Sequence, residues 1–277
     1  MKTNILASIF AAVLVLSASC TKVETPEIAA ASAARQNVEV NGIIGGTKAV
    51  SASLKSEWSE NDWIYVSNNG VSSYFKANEG SSFSSFSVCG QLGSWTDGEA
   101  YAIFPKSVKL EGGAASFSLS GQNGSINNID RYFLMTSAST VKNGEVTFAF
   151  ESQVSVLAID VNEILYNEGT LTKVVVNGAC SSLEISAAAG AISVSGIEGS
   201  IEIVNPIVND GVVYIAVRSE SSELSVDLYD SIGSHFFASI EGGLQNGELY
   251  DITDAEWNGG LEITFNPSVV DYDQQSI

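Results

Sequence analysis

Apolar and polar residues alternate in short runs along most of the chain, and Gly, Asn, Asp or Ser closes each run. A period of two bounded by turn formers predicts β-strands. In the first half the strands fall at Val38–Ile44, Trp63–Ser67, Ser73–Phe75, Ser82–Val88, Ala100–Phe104, Ala115–Leu119 and Tyr132–Thr136. The second half adds Glu145–Phe150, Val154–Val161, Leu171–Asn177, Leu183–Ser186, Ile201–Asn205, Val212–Val217, Leu224–Tyr229, Ser234–Ile240, Glu248–Ile252 and Leu261–Phe265. Asn68-Asn69-Gly70, Asn123-Gly124, Asn143-Gly144 and Asn246-Gly247 mark turns, because Asn and Gly tolerate positive φ. No window carries a sustained helical stripe.

An all-β chain with strands at this spacing suits two stacked β-sandwich domains better than one barrel. The least strand-like connection near the middle is Ser137–Gly144, which places an N-terminal sandwich at residues 36–141 and a C-terminal one at 142–254. Residues 255–277 follow as a C-terminal tail. In it Leu261, Ile263 and Phe265 share one face of a strand, and Asn266-Pro267 stops regular pairing because Pro lacks the N–H a central strand needs.

The N-terminus has a different pattern. Lys2 precedes an apolar run from Ile5 to Leu16, too short to span about 30 Å of hydrocarbon and therefore read as an export signal. Small residues then lead into Cys20, so Leu16-Ser17-Ala18-Ser19-Cys20 resembles the lipobox of bacterial lipoproteins. The resemblance implies that residues 1–19 are a signal peptide and that Cys20 is the lipidated N-terminus. Residues 20–35, mixed polar and Ala-rich, read as a flexible tether. No later stretch is apolar enough to cross a membrane as a helix, so attachment to an outer membrane rests on acyl chains.

The chain of 277 residues carries 12 Lys and Arg against 32 Asp and Glu, a formal net charge of −20. Such a surface repels phosphate backbones, and nucleic acid is not an expected partner. With 45% hydrophobic residues the chain buries a real core. One His and three Cys offer no metal-ligand spacing, so neither a metal nor another cofactor is expected. His235 lies in an apolar strand beside Ser234, and adjacent strand residues face opposite ways, so the two form no nucleophile–base pair. Cys89 and Cys180 sit in separate strand-like segments and read as two small buried thiols. Among the tryptophans, Trp63 alternates with its neighbours and turns one face to the core. Trp95, in a Gly/Ser loop, is the best candidate for stacking on a ligand such as a sugar ring.

Several segments, in order, resemble fimbrillin-like lipoproteins of Bacteroidetes. They are Thr47-Lys48-Ala49, Trp58-Ser59-Glu60-Asn61-Asp62-Trp63-Ile64-Tyr65-Val66, Glu99-Ala100-Tyr101-Ala102-Ile103-Phe104-Pro105, Val146–Phe150 with Val156–Ile159, and Asn246-Gly247-Glu248-Leu249-Tyr250-Asp251-Ile252. The resemblance implies two tandem transthyretin-like β-sandwiches. It also implies a role as a fimbria (pilus) component that acts in adhesion or assembly without catalysis. The partners it implies are other fimbrial subunits or host and biofilm surface ligands.

Polymerising members are cut after a basic residue near the first strand, which frees a groove. Here Arg35 precedes strand Val38–Ile44 and Lys48 follows it. A cut after Arg35 releases the lipid but keeps that strand, so stalk, anchor, tip and non-polymerising roles stay open. The tail residues Leu261, Ile263 and Phe265 either complete their own domain or fill a neighbour's groove as a donor strand. A surface glycan-binding lipoprotein, built around Trp95, is the alternative from another class.

Overall fold

The computed structural model describes residues 38–44, 57–90, 92–162, 170–241 and 243–252, with the strand backbones of 263–265 and 268–269. The described residues belong to one compact unit. Eight strands come from the first half: β1 (Glu39–Ile44), β2 (Trp63–Asn68), β3 (Val71–Ala77), β4 (Phe83–Cys89), β5 (Gly98–Phe104), β6 (Ala114–Ser118), β7 (Met135–Val141) and β8 (Glu145–Ser152). All but β6 form one closed sheet in the order β1-β4-β3-β2-β5-β7-β8. Closure depends on β1, which pairs antiparallel with β4 on one edge and parallel with β8 on the other. A sheet closed in this way has no free edge. The sequence led us to expect a sandwich over 36–141, and a closed barrel-like sheet stands there instead.

The expected division at residues 141 and 142 does not separate sheets. Lys142-Asn143-Gly144-Glu145 is a tight turn between β7 and β8 of the same sheet, with φ of 53° at Asn143 and 82° at Gly144. The stretch read as a connection, Ser137–Val141, is most of β7, and it pairs along its length with β5. Its Ser, Ala and Thr residues carry little apolar signal, and backbone pairing with β5 holds them in place.

The second half supplies β9 (Ser155–Asp160), β10 (Leu171–Ala188), β11 (Ala191–Val204), β12 (Val212–Val217), β13 (Glu223–Asp230), β14 (His235–Glu241), β15 (Leu249–Ile252), β16 (Ile263–Phe265) and β17 (Ser268–Val269). They make two sheets, β11-β10-β13-β14-β16 and β12-β9-β15-β17. Val174, Val176, Ile203, Val226 and Leu228 of the first sheet and Leu157, Ile159, Val213 and Ile215 of the second are buried in one continuous core. The segments read as two strands, Leu171–Asn177 and Leu183–Ser186, are one long strand with register shifts between 177 and 182. Gly178 makes the bend possible: its φ is +73°, and a Cβ there would lie 2.4 Å from the carbonyl oxygen of Glu223.

Strand β6 crosses from one half to the other. It belongs by sequence to the first half, yet it pairs with β10 over Ser182–Ser186. Just after it, the Gln122 side chain donates to the carbonyls of Leu119 and Ala216 (2.9 and 2.8 Å) and accepts from the Ala216 amide at 2.7 Å. A short 3₁₀ helix, Ile126–Arg131, follows with Ser125 as its N-cap. The two halves therefore share backbone pairing and a core.

Candidate functional site

The place where β1 enters the closed sheet is the most elaborately built local structure in the first half. Val40 and Gly42 are buried, Ile44 is half-buried, and Glu39 and Ile43 face outward, as strand alternation requires. Trp58 is fully buried under this strand, and its indole Nε1 donates to the Gly42 carbonyl at 3.1 Å. Its ring meets Phe86 of β4 at 5.1 Å and Phe150 of β8 at 5.0 Å, both edge-on, and Phe104 of β5 at 6.0 Å. Edge-to-face rings at these separations are favourable beyond their buried area. Gly42 leaves room for them: a Cβ there would stand 2.8 Å from Phe86 Cε2 and 3.3 Å from Phe150 Cε2.

Cys20, Arg35, Lys48 and Leu261 lie outside the described residues. The backbones of Ile263 and Phe265 belong to β16, which pairs parallel with β14 at the edge of its own sheet. That is the intramolecular arrangement of the tail. Trp95 requires a correction. Only 1% of it is exposed, and its ring packs edge-on against Phe75 at 5.3 Å inside the closed sheet. A ring so placed stacks on no sugar. The loop composition around it signalled exposure, and Ser94, Thr96 and Asp97 are indeed exposed, but the Trp95 side chain turns into the core. Trp63 is half-buried, with the Lys106 ammonium 3.5 Å from its ring centroid.

A second polar cluster lies on the outer side of the β10-β13-β14 sheet, where cross-strand register aligns Lys173, Tyr229 and His235. The Tyr229 and His235 rings stack at 4.7 Å and 8°, and Lys173 Nζ lies 4.2 Å from the Tyr229 centroid. Asp227, one row away, meets His235 Nε2 at 2.6 Å and accepts from Asn177 Nδ2 at 2.5 Å. Sequence reading took His235 as a structural strand residue and missed the network, because register between strands far apart in sequence brings its members together. Among the described residues the imidazole hydrogen-bonds to Asp227 alone, so no hydroxyl or thiol is held against it as a nucleophile. The described residues contain no group of three or more His, Cys, Asp or Glu placed to hold a metal ion.

Cys180 carries a free thiol, and the Cys89 thiol lies 3.9 Å from the Ser87 carbonyl oxygen. Cys180 is fully buried, and burial pushes its thiol above the ordinary range. Cys89 is only half-buried, so the reading of two buried thiols holds for Cys180. No helix among the described residues is long and apolar enough to cross a membrane.

No protein-family model matches the chain. No curated protein sequence matches it either. Among solved structures it is similar to a "putative cell adhesion protein" from Bacteroides uniformis, with 14% identity and a TM-score of 0.55, covering 85% of this chain and 96% of that one. A protein of the same description from Bacteroides ovatus gives 16% identity and a TM-score of 0.48, over 84% and 94% of the two chains. The tip fimbrial protein Mfa3 from Porphyromonas gingivalis, truncated at its C-terminus, gives 12% and 0.37, over 84% and 90%. At these identities the first similarity establishes a shared fold, and the chain spans nearly the whole length of that protein.

Proposed function

We propose that this chain is a lipid-anchored, surface-exposed fimbrillin-like protein that acts as a fimbria component in adhesion or assembly, through protein–protein contacts. The observation that carries the reading is β1 itself. It is a short strand paired on both edges, and its loss would open a closed sheet. Arg35 lies on one side of it in sequence and Lys48 on the other. A strand held this way, next to basic residues that a protease can recognise, suits a subunit whose groove is opened for a partner. The fold shared with a protein described as a putative cell adhesion protein supports the same reading. The role needs no catalytic centre and no cofactor. The glycan-binding alternative rested on Trp95, and its burial leaves that alternative without its leading residue.

Electron microscopy of cells lacking the protein tests the proposal. Loss, shortening or lengthening of fimbriae relative to the parent is expected, according to whether the subunit builds, initiates or terminates them. Fimbriae unchanged in number, length and adherence would overturn it.

A further inference from the structure

Strand β11 is the edge of its sheet, and among the described residues it pairs only with β10. In an antiparallel ladder, alternate residues turn their N–H and C=O groups toward the partner strand or away from it. The extra residues at the two register shifts lie on β10, so this alternation is unbroken along β11. Asn205 donates to the Thr172 carbonyl, which sets the phase: Val204, Glu202, Ser200, Glu198, Gly196 and Val194 turn their backbone groups outward.

The two ends of this edge differ. At Val194 and Gly196 side chains occupy it. Arg218 Nη2 donates to the Val194 carbonyl at 3.0 Å, and Glu220 Oε1 accepts from the Gly196 amide at 3.1 Å and from Arg218 Nε at 2.8 Å. The Arg–Glu pair stands where a neighbouring strand would stand. Past it, no hydrogen bond among the described residues reaches the outward backbone of Ser200, Glu202 or Val204. Pro and Lys, which blunt exposed edges, are absent from 198–204. The charges present are two carboxylates, Glu198 and Glu202, four positions apart and therefore on one face. Both are exposed, and neither forms an ion pair among the described residues. Lys173, across the ladder from Val204, is drawn to the Tyr229 ring instead.

We propose that the β11 edge over 198–204 docks an extended strand of a cationic partner protein. The partner strand carries Lys or Arg at two positions four apart, facing Glu198 and Glu202, and its main chain bonds to Ser200, Glu202 and Val204. Main-chain bonds supply the affinity, and the two ion pairs select the partner and its register. The Arg218–Glu220 pair closes the edge at Gly196 and so fixes where the docked strand stops. A second copy of this chain is the wrong occupant, because it would bring the same carboxylates on a body of net charge −20. The site goes beyond the fimbrial reading and uses neither β1 nor the tail.

The test is fluorescence anisotropy with the full chain and a labelled peptide matched in length to 198–204. The peptide alternates Val with polar residues and carries two Lys four positions apart. It should bind saturably. Replacing both Lys by Glu, or methylating the peptide amides that would meet the edge, should each weaken binding about tenfold or more. In the protein, Ser200→Pro removes one outward N–H and leaves the ladder to β10 intact, so it should weaken the Lys peptide while the thermal melt holds. The double change Glu198→Lys with Glu202→Lys should reverse the preference and admit the Glu peptide. Should Ser200→Pro unfold the sheet, the charge reversal, confined to exposed side chains, still decides. Equal binding of methylated and unmethylated peptides would reduce the effect to charge attraction and overturn the docking edge. A peptide indifferent to the charge reversal binds elsewhere, which overturns it too, as does a Lys peptide that never binds. Dimers of the chain alone that Ser200→Pro abolishes would overturn the cationic occupant in favour of a second copy. The fimbrial reading is judged separately, by the fimbriae of the deletion strain.

Discussion

At the scale of single residues, aromatic burial decides which tryptophans hold the fold. Trp58 touches three Phe rings and a backbone carbonyl, all buried, whereas Trp63 keeps part of its surface in water beneath Lys106. Trp58→Ala should cost about 3–5 kcal/mol, in line with other buried Trp truncations. Trp63→Ala should cost clearly less. Denaturant titration of both variants checks the order, and a larger loss for Trp63→Ala would contradict the packing described. The thiols give a second contrast. Cys180 is fully buried with its thiol held protonated by desolvation, and Cys89 is partly open. A maleimide at neutral pH should label Cys89 in the native protein and Cys180 only after unfolding, because the thiolate is the reactive form. Equal native labelling of the two by mass spectrometry would contradict the burial.

At the scale of elements, the tail strand β16 makes three backbone pairs at a sheet edge, so few bonds tie it to the body. A chain ending at Asn258 should stay folded by thermal melt while losing its ability to join other fimbrial subunits. Unfolding, or unchanged joining, would show that the tail only completes its own sheet. Much of this level was legible in the sequence: β2, β5, β8, β12 and β13 lie where alternation and turn residues put them. What escaped was set by distant partners. The parallel insertion of β1 beside β8 joins residues about a hundred positions apart, and no local pattern reports it. β7 carries only Ser, Thr and Ala between its buried ends Met135 and Val141, and pairing with β5 runs along that stretch. The first part of β11 is only half-covered on its apolar face, where Ile192 and Val194 pack against the edge of the core. The candidate site was half legible. Arg35, Lys48 and the first strand stood out by sequence, but the aromatic cage around Gly42 needed the fold, and Trp95 was misread because its side chain alone turns inward from an exposed loop.

At the scale of the whole molecule, the account requires a surface location. Cys20→Ala should abolish membrane attachment, since no later stretch of the sequence is apolar enough to anchor it as a helix. Metabolic labelling with a palmitate analogue reads this directly, and label retained by the variant would contradict a lipid anchor at Cys20. The surplus of acidic groups, 32 against 12 basic ones, favours partners that present cations. The central claim is that the protein is part of the fimbria. Immunogold electron microscopy of intact cells, with the deletion strain as control, tests it most directly. The account predicts gold on the shafts, tips or bases of fimbriae, and gold confined to the cell body with none on fimbriae would contradict it.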